Sequence, residues 1–335
     1  MTDTVTGVNP VKQLFLAADI GGTHARVGLV SSSSQRAPEV RQYRSYRCRD
    51  FSSLEQIIGS FCTELDTHPR ELVLACAGYA HEGAVVNDNL VWPVVPLSME
   101  RSLALDRVSL LNDFEALAHA TPHIDARNTV VLRAPSVPID TSGPVVVIGP
   151  GTGLGAAVWF PGEPPRVLAT EAGQIQLTAR QGLEQQVFAQ LSAAGSHTPY
   201  EAVLSGPGLR RLYNALCAIH GRDVALDDPV AITAAALDGS DAVAYEALNM
   251  FCSWLGSLIG DLAMLYGATG GICLAGGFLS QIAGFMQRSS LVERFLDKGV
   301  MRPFLNKVPV HVIGHGQLGV IGAASWYLDV RNRRS

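Results

Sequence analysis

The chain has 335 residues, of which 47% are hydrophobic and 16% charged, with a formal net charge of −5 and an isoelectric point near 6.0. This is the balance of a compact globular enzyme long enough for two domains, and it excludes a disordered or fibrous chain. The acidic balance offers no counterion-release drive toward nucleic acid, and the six scattered cysteines, with no CxxC pair, read as reduced core residues.

Met1–Asn9 is polar and lacks the basic start and apolar stretch of a signal peptide. No apolar run is expected to reach membrane-spanning length, so the cytosol is the expected compartment and no membrane partner is expected. A first strand is expected at Leu14–Ala18, followed by the turn Asp19-Ile20-Gly21-Gly22-Thr23 and a second strand over Val27–Val30. A strand at Glu39–Tyr46, a helix from about Phe51, a strand at Leu72–Ala77 and a strand at Val108–Leu111 leading into a helix make an alternating α/β lobe.

After a proline-containing stretch, Val145–Ile148 runs into Gly149-Pro150-Gly151-Thr152-Gly153-Leu154-Gly155 and then a strand over Ala156–Phe160. Strand, glycine turn, strand thus recurs, which points to a duplicated supersecondary unit. The remainder is richer in helix, expected over Leu183–Ala193, Gly208–Ile219, Pro229–Leu237 and Ala242–Tyr266. A strand at Gly271–Ala275 then meets Gly276-Gly277, and a strand at Val308–Ile313 and a helix at Leu318–Leu328 close the chain.

Glycine lets backbone N–H groups converge on an anion, and three such loops suggest a polyphosphate. A ligand-free tight turn is the alternative at any one of them. The Walker pattern is absent, so a nucleotide would bind without a P-loop. Gly151-Thr152-Gly153-Leu154-Gly155-Ala156 matches the dinucleotide fingerprint, which needs a helix directly after it; Pro161, Pro164 and Pro165 deny that helix. His119 with His123 and His311 with His315 have four-residue spacing, but Pro122 interrupts the first pair and the second leaves a strand, so no transition-metal site is expected.

Asp19-Ile20-Gly21-Gly22-Thr23-x-x-Arg26, Leu111-Asn112-Asp113-Phe114-Glu115-Ala116, the loop Gly149–Gly155, Leu204-Ser205-Gly206-Pro207-Gly208-Leu209 and Leu274-Ala275-Gly276-Gly277 occur in that order. Together they closely resemble the bacterial glucokinases, in the branch without a zinc motif, over almost the whole chain. The resemblance implies an α/β fold of two ribonuclease-H-like (actin-like ATPase) lobes around a central cleft. The small lobe would hold residues 1–123 and 316–335, and the large lobe residues 124–315. It also implies transfer of the ATP γ-phosphate to the 6-hydroxyl of glucose, with ATP and Mg2+ as cofactors, in a cytoplasmic homodimer.

Roles follow from the same resemblance. On spacing alone Asp113 reads first as a helix N-cap, but the resemblance makes it the expected general base, with Asn112 on a neighbouring hydroxyl. Asp19 would hold Mg2+ through water. Gly21, Gly22 and Thr23 would face the terminal phosphate, Gly151, Thr152 and Gly153 would cap it, and Gly276 and Gly277 would lie under the adenosine. Glu171 and Glu201 would grip sugar hydroxyls, a solvated surface acid being the alternative at each. The family usually reads Glu-Gly-Gly-His where this chain has Glu171-Ala172-Gly173-Gln174. Gln174 can still hold a hydroxyl but carries no charge, which leaves open a kinase for another hexose. A sugar-sensing regulatory protein with the same cleft is the alternative from a different class. Asn89 and Trp92 resemble a cleft-lining segment, with a core role as the alternative for the tryptophan.

Overall fold

The chain divides into two units, Met1–His123 with Gln317–Ser335, and Ile124–Gly316. The dividing point near the C-terminus falls one residue after the expected one. The computed structural model describes residues 14–32, 38–81, 84–86, 92–192, 196–314 and 316–332.

In the first unit, β1 (Leu14–Ile20), β2 (His24–Ser32) and β3 (Pro38–Arg47) form an antiparallel meander. β4 (Glu71–Cys76) adds in parallel to the free side of β1, a small hairpin of β5 (Tyr79–His81) and β6 (Ala84–Val86) follows, and β7 (Arg107–Asn112) adds in parallel to β4. The sheet order is therefore β3-β2-β1-β4-β7. Strand side chains alternate in direction, and both faces here are buried. Leu16, Ala18 and Ile20 enter one core with Leu54, Ile57, Ile58 and Phe61 of α1 (Leu54–Glu64), while Phe15 and Ala17 enter another. Ser53 caps α1, its hydroxyl accepting the Gln56 N–H at 3.2 Å. The second face is covered by the closing helix, Leu318–Asn332, through Val320, Ala323, Ala324 and Tyr327.

The second unit repeats the plan. β8 (Thr129–Arg133) is an edge; β9 (Val145–Pro150), β10 (Leu154–Phe160) and β11 (Arg166–Thr170) form the meander, and β12 (Gly271–Ala275) and β13 (Val310–Ile313) add in parallel. The order is β11-β10-β9-β12-β13-β8, so each unit contains the ribonuclease-H-like series of three antiparallel strands followed by two parallel ones. The first two strands of each series are joined by a glycine hairpin, which is why the same local pattern appears twice in the sequence.

α2 (Pro96–Ser102) and α3 (Asp113–His119) belong to the first unit; α4 (Leu183–Leu191), α5 (Gly206–Ile219), α6 (Pro229–Asp238) and α7 (Ala242–Tyr266) belong to the second. The expectation that no segment reaches membrane-spanning length is corrected by α7. At 25 residues with a mean hydropathy of 1.3 in its most apolar window, it is long and apolar enough, but 78% of that window is buried inside the protein. A core helix of this unit must be apolar nearly all round because neighbours surround it. Asp241 caps it, accepting from Val243 and Ala244 N–H at 2.7 and 3.0 Å, and the fully buried Trp254 donates its indole N–H to the Thr178 carbonyl at 2.8 Å.

Candidate active site

The parallel strands β1, β4 and β7 end side by side, with Ile20 opposite Cys76 and Cys76 opposite Asn112. In open α/β sheets this carboxyl edge is where ligands bind, and the expected residues of the first unit collect there. Asp19 lies one residue before the end of β1, directly across the hairpin from Arg26, and the two form an ion pair at 3.1 Å with the Asp19 side chain only 7% exposed. Gly319, in the first turn of the closing helix, packs against the same carboxylate so closely that a Cβ there would stand 2.5 Å from Asp19 Cγ. Only glycine fits. A helix N-terminus also favours a carboxylate beside it.

Gly21, Gly22 and Thr23 make the turn, closed by the Gly21 N–H donating to the His24 carbonyl at 3.0 Å. Cys48 braces it from behind, its thiol donating to the Gly21 carbonyl at 3.4 Å and its N–H to the Thr23 carbonyl at 2.9 Å. Burial raises the Cys48 thiol above its ordinary range, which keeps it a protonated donor.

Asn112 ends β7 and caps α3, its side-chain oxygen accepting from Phe114 and Glu115 N–H at 2.9 and 3.1 Å. The cap reading considered for Asp113 is thereby corrected, since the cap falls one residue earlier. Asp113 is the first residue of the helix, half-buried, with Oδ1 accepting from Phe114 N–H at 2.9 Å. The Cys76 thiol is pushed up to about 12, by burial first and then by the negative charges of Asp113 and Asp19. Both carboxylates therefore act on one point of this edge.

The second unit builds a matching edge. The Gly149–Gly155 hairpin is held by the Gly206 N–H donating to the Gly151 carbonyl at 2.8 Å, with Gly151 and Thr152 exposed. Gly276, between β12 and α8 (Gly277–Gln281), sits against it, 3.3 Å separating the position of a Cβ from the Pro150 carbonyl oxygen. Glu201 reaches in from a short turn, Tyr200–Ala202. Its Oε2 accepts the Leu154 N–H at 2.8 Å and its Oε1 accepts the Gln174 side-chain amide at 3.2 Å. A Cβ on residue 153 would stand 2.6 Å from Oε2, so Gly153 is what admits the carboxylate to the hairpin.

Glu171 is exposed and precedes the turn Ala172–Gln174 without capping it by its side chain. A cavity of about 440 Å³ opens at this edge, with Thr152, His197, Glu201, Ser205 and Arg211 in its wall. The structure thus places Gly151, Thr152, Gly153, Gln174, Glu201 and Gly276 on one rim, with Gly277 starting the helix beside them.

Asn89 lies outside the described residues. Trp92 is half-buried against the first unit's core, its indole N–H without a hydrogen-bond partner among the described residues. His119 faces Asp329 at 3.8 Å and His123 meets Ser325 at 3.0 Å, so they serve the packing of α3 and of the turn Thr121–His123 onto the closing helix. Among the described residues no group of three or more His, Cys, Asp or Glu side chains is arranged to hold a metal ion. A hard ion such as Mg2+ that keeps its waters needs only one or two carboxylates together with substrate phosphates, and the buried Asp19 carboxylate at the hairpin meets that requirement.

Four residues of this arrangement had no role assigned from sequence: Arg26, Cys48, His197 and Gly319. Arg26 carried a signal, because Asp19 and Arg26 stand symmetrically about a two-strand turn. The other three act across long loops and carried none.

The chain matches the family model described as Glucokinase over residues 16–330. A glucokinase-like protein of Xylella fastidiosa is 46% identical over 321 residues, covering 94% of this chain and 95% of its own. A glucokinase of Saccharophagus degradans is 35% identical over 320 residues, covering 93% and 97%. Among solved structures, a glucokinase from an Antarctic psychrotroph aligns with a TM-score of 0.81 and 33% identity, covering 94% of this chain and 98% of its own.

Proposed function

The chain belongs to the glucokinase family, and on that premise we propose that it transfers the γ-phosphoryl group of ATP to the 6-hydroxyl of glucose with Asp113 as general base. The observation that carries the assignment of the base is the offset at α3. Asn112 takes the cap and Asp113 stands beside it at the strand edge that also carries Asp19.

Phosphoryl transfer asks for positioning and charge stabilisation rather than covalent catalysis. Asp113 accepts the 6-hydroxyl proton as that oxygen bonds to the γ-phosphorus and the bond from phosphorus to the β,γ-bridging oxygen breaks, and ADP departs with the bridging oxygen. Asn112 has its side-chain oxygen committed to the cap, so its amide N–H groups are the part offered to a sugar hydroxyl. Gly21, Gly22 and Thr23 present backbone and hydroxyl donors to the terminal phosphate, as do Gly151, Thr152 and Gly153, while Gly276 and Gly277 leave flat backbone for the adenosine. Mg2+, held by Asp19 through water, would offset charge on the phosphate oxygens. Glu201 and Glu171 accept from sugar hydroxyls, and Gln174 adds a neutral donor.

Gln174 in place of the usual histidine favours a second reading, a preference for a hexose other than glucose. A homodimer and a cytoplasmic location belong to the same proposal and rest on kinship with the bacterial enzymes.

The test is ADP release by the purified protein with Mg-ATP across glucose, mannose, fructose, galactose and glucosamine, with a no-sugar control. Release strongest with glucose is expected. A different best sugar would transfer the proposal to that hexose, and release with none of them would sink the kinase reading in favour of a sugar sensor.

A further inference from the structure

We propose that His197 is a specificity-determining positioning residue for the sugar, acting through Gln174 on Glu201. The inference rests on the sugar-kinase reading above.

Gln174 commits its side-chain amide to Glu201 Oε1 at 3.2 Å, while the Leu154 N–H takes Oε2 at 2.8 Å. The carboxylate is thus held at both oxygens by neutral donors before any sugar arrives, and its remaining lone pairs are aimed by them. That aim is only as good as the placement of Gln174. Gln174 is the exposed last residue of a short turn, Ala172–Gln174, and its amide can be placed only as well as the backbone that carries it.

The facing segment supplies the missing restraint. The Leu177 N–H donates to the Thr198 carbonyl at 2.8 Å and the Tyr200 N–H to the Ile175 carbonyl at 2.9 Å, and Gln176 pairs with Pro199 as an antiparallel bridge. These contacts run along residues 175–177 and stop short of Gln174. His197 carries the ladder one residue further with its side chain, Nε2 lying 2.8 Å from the Gln174 carbonyl oxygen. A carbonyl only accepts, so Nε2 bears the proton. The imidazole also walls the cavity of about 440 Å³ that Glu201 and Thr152 share. A histidine absent from position 174 is therefore present beside it, brought in by a different stretch of chain and acting one step behind the carboxylate.

The experiment compares wild type, His197→Ala and His197→Gln by glucose affinity in calorimetry and by steady-state kinetics with Mg-ATP. Glutamine puts an amide N–H close to where Nε2 stands, and His197 is exposed, so both variants should keep the fold. The alanine variant is expected to weaken glucose binding and raise the glucose KM about fivefold, the usual worth of one net hydrogen bond. Its kcat and its ATP KM should stay within about twofold of wild type, and the glutamine variant should restore glucose affinity. Unchanged glucose affinity in His197→Ala, equal losses in both variants, or a loss confined to kcat would each overturn the proposal. Wild type that binds glucose without phosphorylating it would overturn the kinase reading while the affinity comparison still decides the role of His197; wild type that neither binds nor phosphorylates glucose overturns both.

Discussion

A carboxylate at the first position of a helix and one at the cap differ by a single residue, yet the cap ties its oxygen to two backbone N–H groups. Asn112 carries that duty for α3. Replacing Asp113 by asparagine removes the proton acceptor while keeping volume and the contact to the Phe114 N–H, so kcat should fall by about 10² to 10⁴ with glucose affinity changed little. Turnover close to wild type in that variant would remove Asp113 from the mechanism. Glu201→Gln poses a different problem. With its oxygen on the Leu154 N–H, the new amide turns its NH2 toward Gln174, which must then turn its own amide oxygen to meet it and loses its present aim. The carboxylate's charge is lost as well, and a hydrogen bond to a charged acceptor is worth about 1.5–3 kcal/mol, so the expected result is a glucose KM raised about tenfold or more, read from initial rates.

At the scale of elements, the closing helix and the first hairpin meet at Gly319 and Asp19. Intrinsic propensity says that Gly319→Ala should stabilise a helix by about 1 kcal/mol. The contact says the opposite, because the added methyl group would stand 2.5 Å from Asp19 Cγ, and Asp19 is braced by Arg26 and has nowhere cheap to go. The contact should win, with a melting temperature below wild type and an increased Mg2+ requirement for turnover. A variant as stable and as active as the parent would show that the helix yields at that point. Nothing in the sequence marked Gly319 as the neighbour of Asp19, since the two lie at opposite ends of the chain.

For the whole molecule, two half-buried imidazoles tie stability to pH. Burial holds His123 in the first unit and His311 in the second below the ordinary histidine value, with Asp329 opposing this weakly at His123. A depressed folded-state value means the unfolded chain binds protons first, so their contribution is complete above about pH 6.5 and is lost as the pH falls through the folded-state values. Glu115 has the opposite sign, its carboxyl raised by burial. The melting temperature should therefore decline between about pH 7 and 5.5, and the double variant His123→Asn, His311→Asn should flatten that slope. Equal slopes in the two proteins would show that other groups govern acid stability.

Local pattern in the sequence determined most of the architecture. Short apolar runs marked the strands, glycine turns marked both hairpins, and their repetition disclosed two like units, because each of these signals lies within a dozen residues of chain. The ordered motifs also disclosed the family, and with it the residues expected in each rim. What tertiary structure alone decided is how those residues are held. The Glu201 carboxylate is held by a backbone N–H 47 residues away and by an amide 27 residues away, and the imidazole that meets that glutamine's main-chain carbonyl comes from 23 residues further along. Such contacts depend on the directions in which loops leave the sheet edge. Side-chain type and spacing carry no record of those directions, whereas packing of the strands beneath them sets them.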